Sequence, residues 1–175
     1  MNYKNRGTTL IEIMIGMVVL SLLIVAVGNL LDGGIIAWAR GEKNIEAQQN
    51  LNLAMNKICH DIRLSKCVLA DSTSEKLKLR VSDTEIVLYK LYDNKVERKI
   101  TTYTDDTLVT ILSENSYVVA GEIDTLEFIY KANNNEISPN YSEVVNVLLK
   151  RDLLNQGVVQ LNTSTVLRGK FLPRR

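Results

Sequence analysis

RGTTLIEIMIGMVVLSLLIVAVGNLLD, residues Arg6–Asp32, decides how the rest of the chain must be organised. No residue from Ile13 to Leu31 is charged. A helix through these about 19 residues is about 28 Å long, close to the hydrocarbon thickness of a bilayer. Lys4 and Arg6 precede the run, and Asp32 is the first charge after it. Positive charge stays on the cytoplasmic side, so the N-terminus is expected inside and the bulk of the chain outside. Glu12 lies at the mouth of the run. A carboxylate in a spanning segment costs about 2.5–3.5 kcal/mol on insertion scales, so it calls for a partner or a role.

Three physical readings compete. A secretory signal would use Ala26-Val27-Gly28 as its small-residue cleavage site, but the apolar run continues past it and Glu12 does not fit. A plain membrane anchor fits the length and leaves Glu12 unexplained. In the third reading the chain is cut between Gly7 and Thr8. The new α-amine then lies one helical turn from Glu12, and the two can neutralise each other in lipid. The amine of a neighbouring chain could serve instead. A buried polar pair fixes the register of sliding apolar helices far better than apolar packing does.

Arg6-Gly7-Thr8-Thr9-Leu10-Ile11-Glu12, followed by the long apolar run, resembles the class III signal of type IV prepilins and type II secretion pseudopilins. The resemblance implies a basic leader (Lys4, Arg6) ending in Gly7, cleavage by a membrane prepilin peptidase, methylation of the new N-terminal Thr8, and Glu12 as the assembly carboxylate. Thr8 stands where the family usually has Phe or Met. Asn29 stands where many major pilins have Pro, which favours a minor subunit. The implied partners are the peptidase, the cytoplasmic membrane, and other pilin or pseudopilin subunits met through the N-terminal helix.

Helical spacing resumes beyond the weak point at Asp32-Gly33-Gly34. Ala47, Leu51, Ala54, Met55, Ile58 and Ile62 recur every three or four residues and mark one buried face. Asn50, Asn52, Asn56, Lys57, Asp61 and Arg63 fall largely off it. A helix from Thr8 to about Ser65 would be about 87 Å long, more than a bilayer needs. Trp38 and Ile45 are expected near the membrane surface. After Cys67 the pattern becomes β-like: Leu77, Leu79 and Val81 alternate, and Glu85–Tyr92 is β-rich. Asp93-Asn94-Lys95 turns into Val96–Ile100. Short strands follow at Leu108–Leu112, Tyr117–Ala120, around Leu126-Phe128-Tyr130, at Val144–Lys150 (the most apolar and so the most buried), Gly157–Leu161 and Thr165–Leu167.

The expected fold is α+β: a long N-terminal helix, membrane-spanning in its first half, packed against a mainly antiparallel sheet. Residues 1–7 form the leader, 8–31 the transmembrane helix, 32–66 the extracytoplasmic half of the helix and 67–175 the β-rich head. The turn Ile58-Cys59-His60-Asp61-Ile62-Arg63, the Leu-Tyr hairpin and the Leu-x-Phe-x-Tyr strand make the head similar to J-type minor pseudopilins.

Composition excludes several other classes. Lys plus Arg is 21 against 20 for Asp plus Glu, a net charge of +1, unlike a polyanion-wrapping protein. Loss of the leader with Lys4 and Arg6 takes side-chain charge from +1 to −1. One His and two Cys cannot supply an ordinary structural zinc site. Cys59 and Cys67 could close a short disulfide loop outside the cytoplasm, or sit as two half-buried apolar residues. No nucleophile elbow, phosphate loop or dinucleotide fingerprint occurs, and Asp105-Asp106 reads as a solvated turn. No enzymatic activity, cofactor or metal is expected. The sequence thus reads as a minor structural subunit that initiates or caps a type IV-pilus-like or type II secretion filament. Two alternatives stay open. One is a DNA-contacting tip subunit using Arg168, Lys170, Arg174 and Arg175, although nucleic-acid contact is not the expected role. The other is a membrane-tethered binding module outside any filament.

Overall fold

The structure, a computed structural model, describes residues 9–132, 135–139, 142–153 and 157–167. Among the described residues it contains one long helix, α1 (Leu10–Leu64), followed by nine strands. These are β1 (Cys67–Val68), β2 (Lys76–Arg80), β3 (Glu85–Tyr92), β4 (Lys95–Tyr103), β5 (Ile111–Ala120), β6 (Thr125–Ala132), β7 (Asn135–Glu136), β8 (Val144–Leu153) and β9 (Gly157–Val166). The chain divides into two compact units, Met1–Lys43 and Asn44–Arg175. α1 is unbroken at Gly33-Gly34.

In the second unit α1 behaves as its spacing predicts. Ala47, Leu51, Ala54, Ile58 and Ile62 are fully buried and Met55 nearly so. Leu51, Ala54, Met55, Ile58 and Ile62 share one cluster with Leu77, Leu79, Val87, Tyr89 and Val96 on one side of the sequence, and Phe128, Val145, Val147 and Leu149 on the other. An amphipathic helix therefore fills the space that two sheets leave open, which gives the α+β fold its core.

The strands form two antiparallel sheets rather than one, ordered β1-β2-β3-β4-β5 and β7-β6-β8-β9. The first is a meander. Its β3–β4 turn is tighter than expected. Asp93 (φ 49°) and Asn94 (φ 55°) alone make the turn and Lys95 already belongs to β4. Two successive left-handed residues match the strand twist, and Asp and Asn tolerate that conformation. The same turn ties the sheets together. Asn94 O accepts from Ile123 N–H (2.9 Å) and Asn94 Nδ2 donates to Asp124 Oδ1 (3.0 Å). Asp124 Oδ2 in turn accepts from Asp152 N–H of β8 (2.7 Å).

Two further expectations are corrected. The strands placed at Leu108–Leu112 and Tyr117–Ala120 are one ten-residue β5, and Leu108 is a turn residue at φ 58°. The polar Ser113–Ser116 stretch breaks nothing, because an edge strand has no face that must be apolar. Likewise Gly157–Leu161 and Thr165–Leu167 are one strand, β9, ending at Val166. β8, expected to be the most buried strand, has four buried residues, Val145, Val147, Leu149 and Leu153, while Val144, Asn146 and Leu148 between them are half-exposed.

Another correction concerns Asp61, expected off the buried face and found 4% exposed. Its Oδ2 accepts from Arg98 Nε of β4 (2.6 Å) and from Tyr89 OH of β3 (2.7 Å). Arg98 Nη1 continues to Tyr117 OH of β5 (2.8 Å). Burial and the neighbouring Asp61 carboxylate push the Tyr89 hydroxyl far above its ordinary range, so it stays protonated and donates. Burial opposes the charge on Arg98, yet its bond to Asp61 outweighs that and leaves its pKa raised.

Removing one partner of such a pair strands the other charge, a cost of about 3–5 kcal/mol. Asp61→Ala should lower the unfolding free energy by about that much, measured by urea titration of the detergent-solubilised chain with tyrosine near-ultraviolet dichroism as the probe. The double variant Asp61→Leu with Arg98→Met should recover a large part of the loss. A loss below about 1 kcal/mol in Asp61→Ala would show that the pair carries little of the fold.

Candidate functional site at the start of the long helix

Thr9 opens α1 and its backbone starts the hydrogen-bond ladder. Its carbonyl accepts from Glu12 N–H (3.0 Å) and from Ile13 N–H (3.4 Å). Its own N–H donates to Glu12 Oε2 (2.8 Å). A helix start leaves four N–H groups without intrahelical partners, and Glu at the third helical position reaching back to the cap residue satisfies one donor there. The carboxylate also lies at the positive end of the helix dipole. Thr9-x-x-Glu12 is thus the return half of a capping box. The spacing alone could have identified it, since Ser or Thr followed three residues later by Glu before an apolar run is a helix-start signature. Sequence reasoning fixed on the charge of Glu12 and passed over its local bond.

The helix that follows is bare. Leu10, Met14, Met17, Leu22, Ile24 and Leu30 are each 60–80% exposed, and the residues between them are also exposed. None of its most apolar 18-residue window is buried, and this is a helix long and apolar enough to cross a membrane. Its one hydroxyl in the apolar run is satisfied locally: Ser21 Oγ donates to Val18 O (2.8 Å). An apolar surface that runs all round a helix is stable only in lipid or among other helices. Trp38, 78% exposed, closes a shallow apolar concavity over Gly34 that Leu31 and Ile35 also line. This arrangement can insert and pack; it holds no reacting group.

The other sequence-derived candidates lie apart. Lys4, Arg6, Gly7 and Thr8 fall outside the described residues, as do Arg168, Lys170, Arg174 and Arg175. Cys59 is buried, Cys67 is half-buried, and both are free thiols. The loop-closing bond left open from the sequence is not formed, and Cys59 Sγ instead accepts from Thr165 Oγ1 of β9 (3.1 Å). His60 is exposed on α1. Asp105 accepts from Thr107 Oγ1 (2.6 Å) and the Asp106 carbonyl accepts from Arg80 Nη2 (3.1 Å), contacts that shape a turn. Among the described residues no group of three or more His, Cys, Asp or Glu is placed to hold a metal ion.

A family model described as the prokaryotic N-terminal methylation motif matches residues 2–28. The chain therefore carries the class III signal that type IV pilins and pseudopilins share, over the leader and the first part of the bare helix. No curated protein sequence matches the chain.

Gln can make the same return bond as Glu but carries no charge. Glu12→Gln should therefore leave amide exchange at Thr9–Ile13 unchanged in detergent micelles. Glu12→Ala should speed it several-fold. Equal exchange in all three chains would mean that the bond does not hold the first turn.

Proposed function

We propose that this chain is a minor pilin or pseudopilin, a structural subunit that helps to initiate or cap a type IV-pilus-like or type II secretion filament. The observation that carries the reading is a methylation motif at residues 2–28 that runs into a helix whose apolar residues from Leu10 to Ile36 are uncovered by any other described residue. In this reading a prepilin peptidase removes residues 1–7, cutting between Gly7 and Thr8, and the Thr8 amine is methylated. Residues 8–31 then hold the subunit in the cytoplasmic membrane, N-terminus inside. Residues 32–66 continue the helix outside, and residues 67–175 form an extracytoplasmic head. Trp38 lies at the outer interface, where indole rings favour the boundary between lipid and water.

Assembly follows from the same physics. Apolar helices leave lipid for one another at little net cost, because hydrocarbon and Leu side chains are equally apolar. What they lack is register. The Glu12 carboxylate of one subunit and the α-amine of a neighbour supply it, since each is costly in lipid alone and much less so together. Asn29 in place of a helix-kinking Pro, and a head patterned like J-type minor pseudopilins, support a minor role. No step in this function calls for an enzymatic activity.

Expression with and without a prepilin peptidase, followed by N-terminal sequencing of the product, tests the reading. A start at Thr8 that appears only with the peptidase is expected. A start at Asn29 would make the segment an ordinary secretory signal, and an uncut chain in both cells would make it a plain anchor. Glu12→Ala and Glu12→Gln should both be cleaved normally and both fail to enter filaments, because assembly needs the charge. Normal entry of Glu12→Ala would point to a tethered module with no filament role.

A further inference from the structure

Among the described residues each sheet has one short edge and one long edge. β1 and β7 have two residues each, and the edge of β6 that β7 leaves open is met by Ser74, whose carbonyl accepts from Phe128 N–H (2.8 Å). The opposite edges, β5 and β9, run ten residues each. A long edge presents a row of N–H and C=O groups that templates another strand, and proteins ordinarily blunt it with Pro, Lys, bulges or brevity. β5 and β9 contain neither Pro nor Lys. The irregularities of the β4–β5 ladder lie at its two ends, and Glu97–Thr102 pairs regularly with Ser113–Val118.

The side chains on these edges favour contact as well. Ile111, Leu112, Tyr117 and Val118 on β5 are 44–68% exposed, and Val158 and Val166 on β9 are 58% and 40% exposed. β9 has no charged residue, and the one charge on β5, Glu114, is held by Lys99 Nζ of the adjacent strand (2.6 Å). Two edges of equal length can therefore meet without leaving a charge unpaired. Because they belong to different sheets, pairing β5 of one copy with β9 of another joins two different surfaces.

We propose that β5 of one subunit pairs with β9 of a second copy of this chain, joining their sheets through backbone hydrogen bonds. The pairing is a head-to-head contact that stands independently of leader cleavage and of the apolar helix.

Mixed disulfide formation tests it. Full-length chains in a Cys67→Ser background carry Ser113→Cys, Ser116→Cys or Val118→Cys in one population and Gln160→Cys, Asn162→Cys or Ser164→Cys in the other. These positions bracket the middle of each strand and so cover either direction of pairing. On oxidation in mild detergent, at least one mixed pair should give a covalent dimer well above the yield of either population alone. Leu112→Lys in the first population or Val158→Lys in the second should cut that yield at least fivefold with near-ultraviolet dichroism unchanged. No dimer in any mixed pair, or equal yields from the unmixed populations, overturns the pairing. A chain that is processed to Thr8 yet gives no mixed dimer overturns this contact alone and leaves the filament reading standing.

Discussion

One carboxylate and one guanidinium, buried together, set the arrangement of the second unit. Asp61 comes from α1, while Arg98 and its companions Tyr89 and Tyr117 come from β4, β3 and β5. Burying two charges gains little stability by itself, because desolvation cancels most of the attraction. The pairing instead makes other arrangements costly. Turning α1 by one residue, about 100°, would carry Asp61 away from Arg98 and leave both charges unpaired in the core. The apolar residues around them would tolerate such a turn far better, since apolar contacts are non-directional. Directional bonds from one helical residue to two strands, extended by Arg98 to a third, thus select one rotation of the helix on the sheet.

The same cluster shows where sequence reading reached and where it stopped. Helical spacing gave the buried stripe from Ala47 to Ile62 residue by residue, because periodicity reports a face directly. It misplaced Asp61 because a charge is assigned to solvent by default. The correcting signal was in β4, where Arg98 sits two residues from Val96 and from Ile100 and so shares their inward face. A strand that turns an Arg inward requires an acid opposite. The division into two sheets was not legible. It depends on the turn at Gly121–Asp124, where Glu122 adopts φ 56°, and no local pattern announces that a left-handed Glu will end one sheet and start another. β5 was read as two pieces because alternation vanishes on an edge strand exposed on both faces; β9 keeps its alternation, with Val159, Leu161 and Thr163 half-buried and Thr165 buried, but its inward positions turn from apolar to Thr after Leu161.

α1 meets two different requirements along one unbroken helix. From Ala47 to Ile62 its apolar residues lie on a stripe that the sheets cover. From Leu10 to Ile36 they lie on every side and are uncovered. The first pattern suits a helix whose other face meets water; the second suits a helix with no water on any side. This contrast was readable before any coordinates, since it needs only the presence or absence of polar residues at each angle. The proposed cut site, Gly7 and Thr8, was legible only through motif order and lies outside the described residues.

The cap that Glu12 makes and the assembly contact proposed for it use different atoms. Its Oε2 accepts the Thr9 N–H at 2.8 Å. An ionised carboxylate has a second oxygen and about four lone-pair sites in all. The proposed cut between Gly7 and Thr8 leaves the Thr9 N–H in the chain, so the cap survives processing. Under the proposed assembly, the amine of a neighbour meets a carboxylate already fixed in direction by its own helix. A side chain held before contact loses less rotamer freedom on making it, which favours a single register over a range of sliding ones. In that sense Thr9-x-x-Glu12 prepares locally the contact that the filament needs between chains.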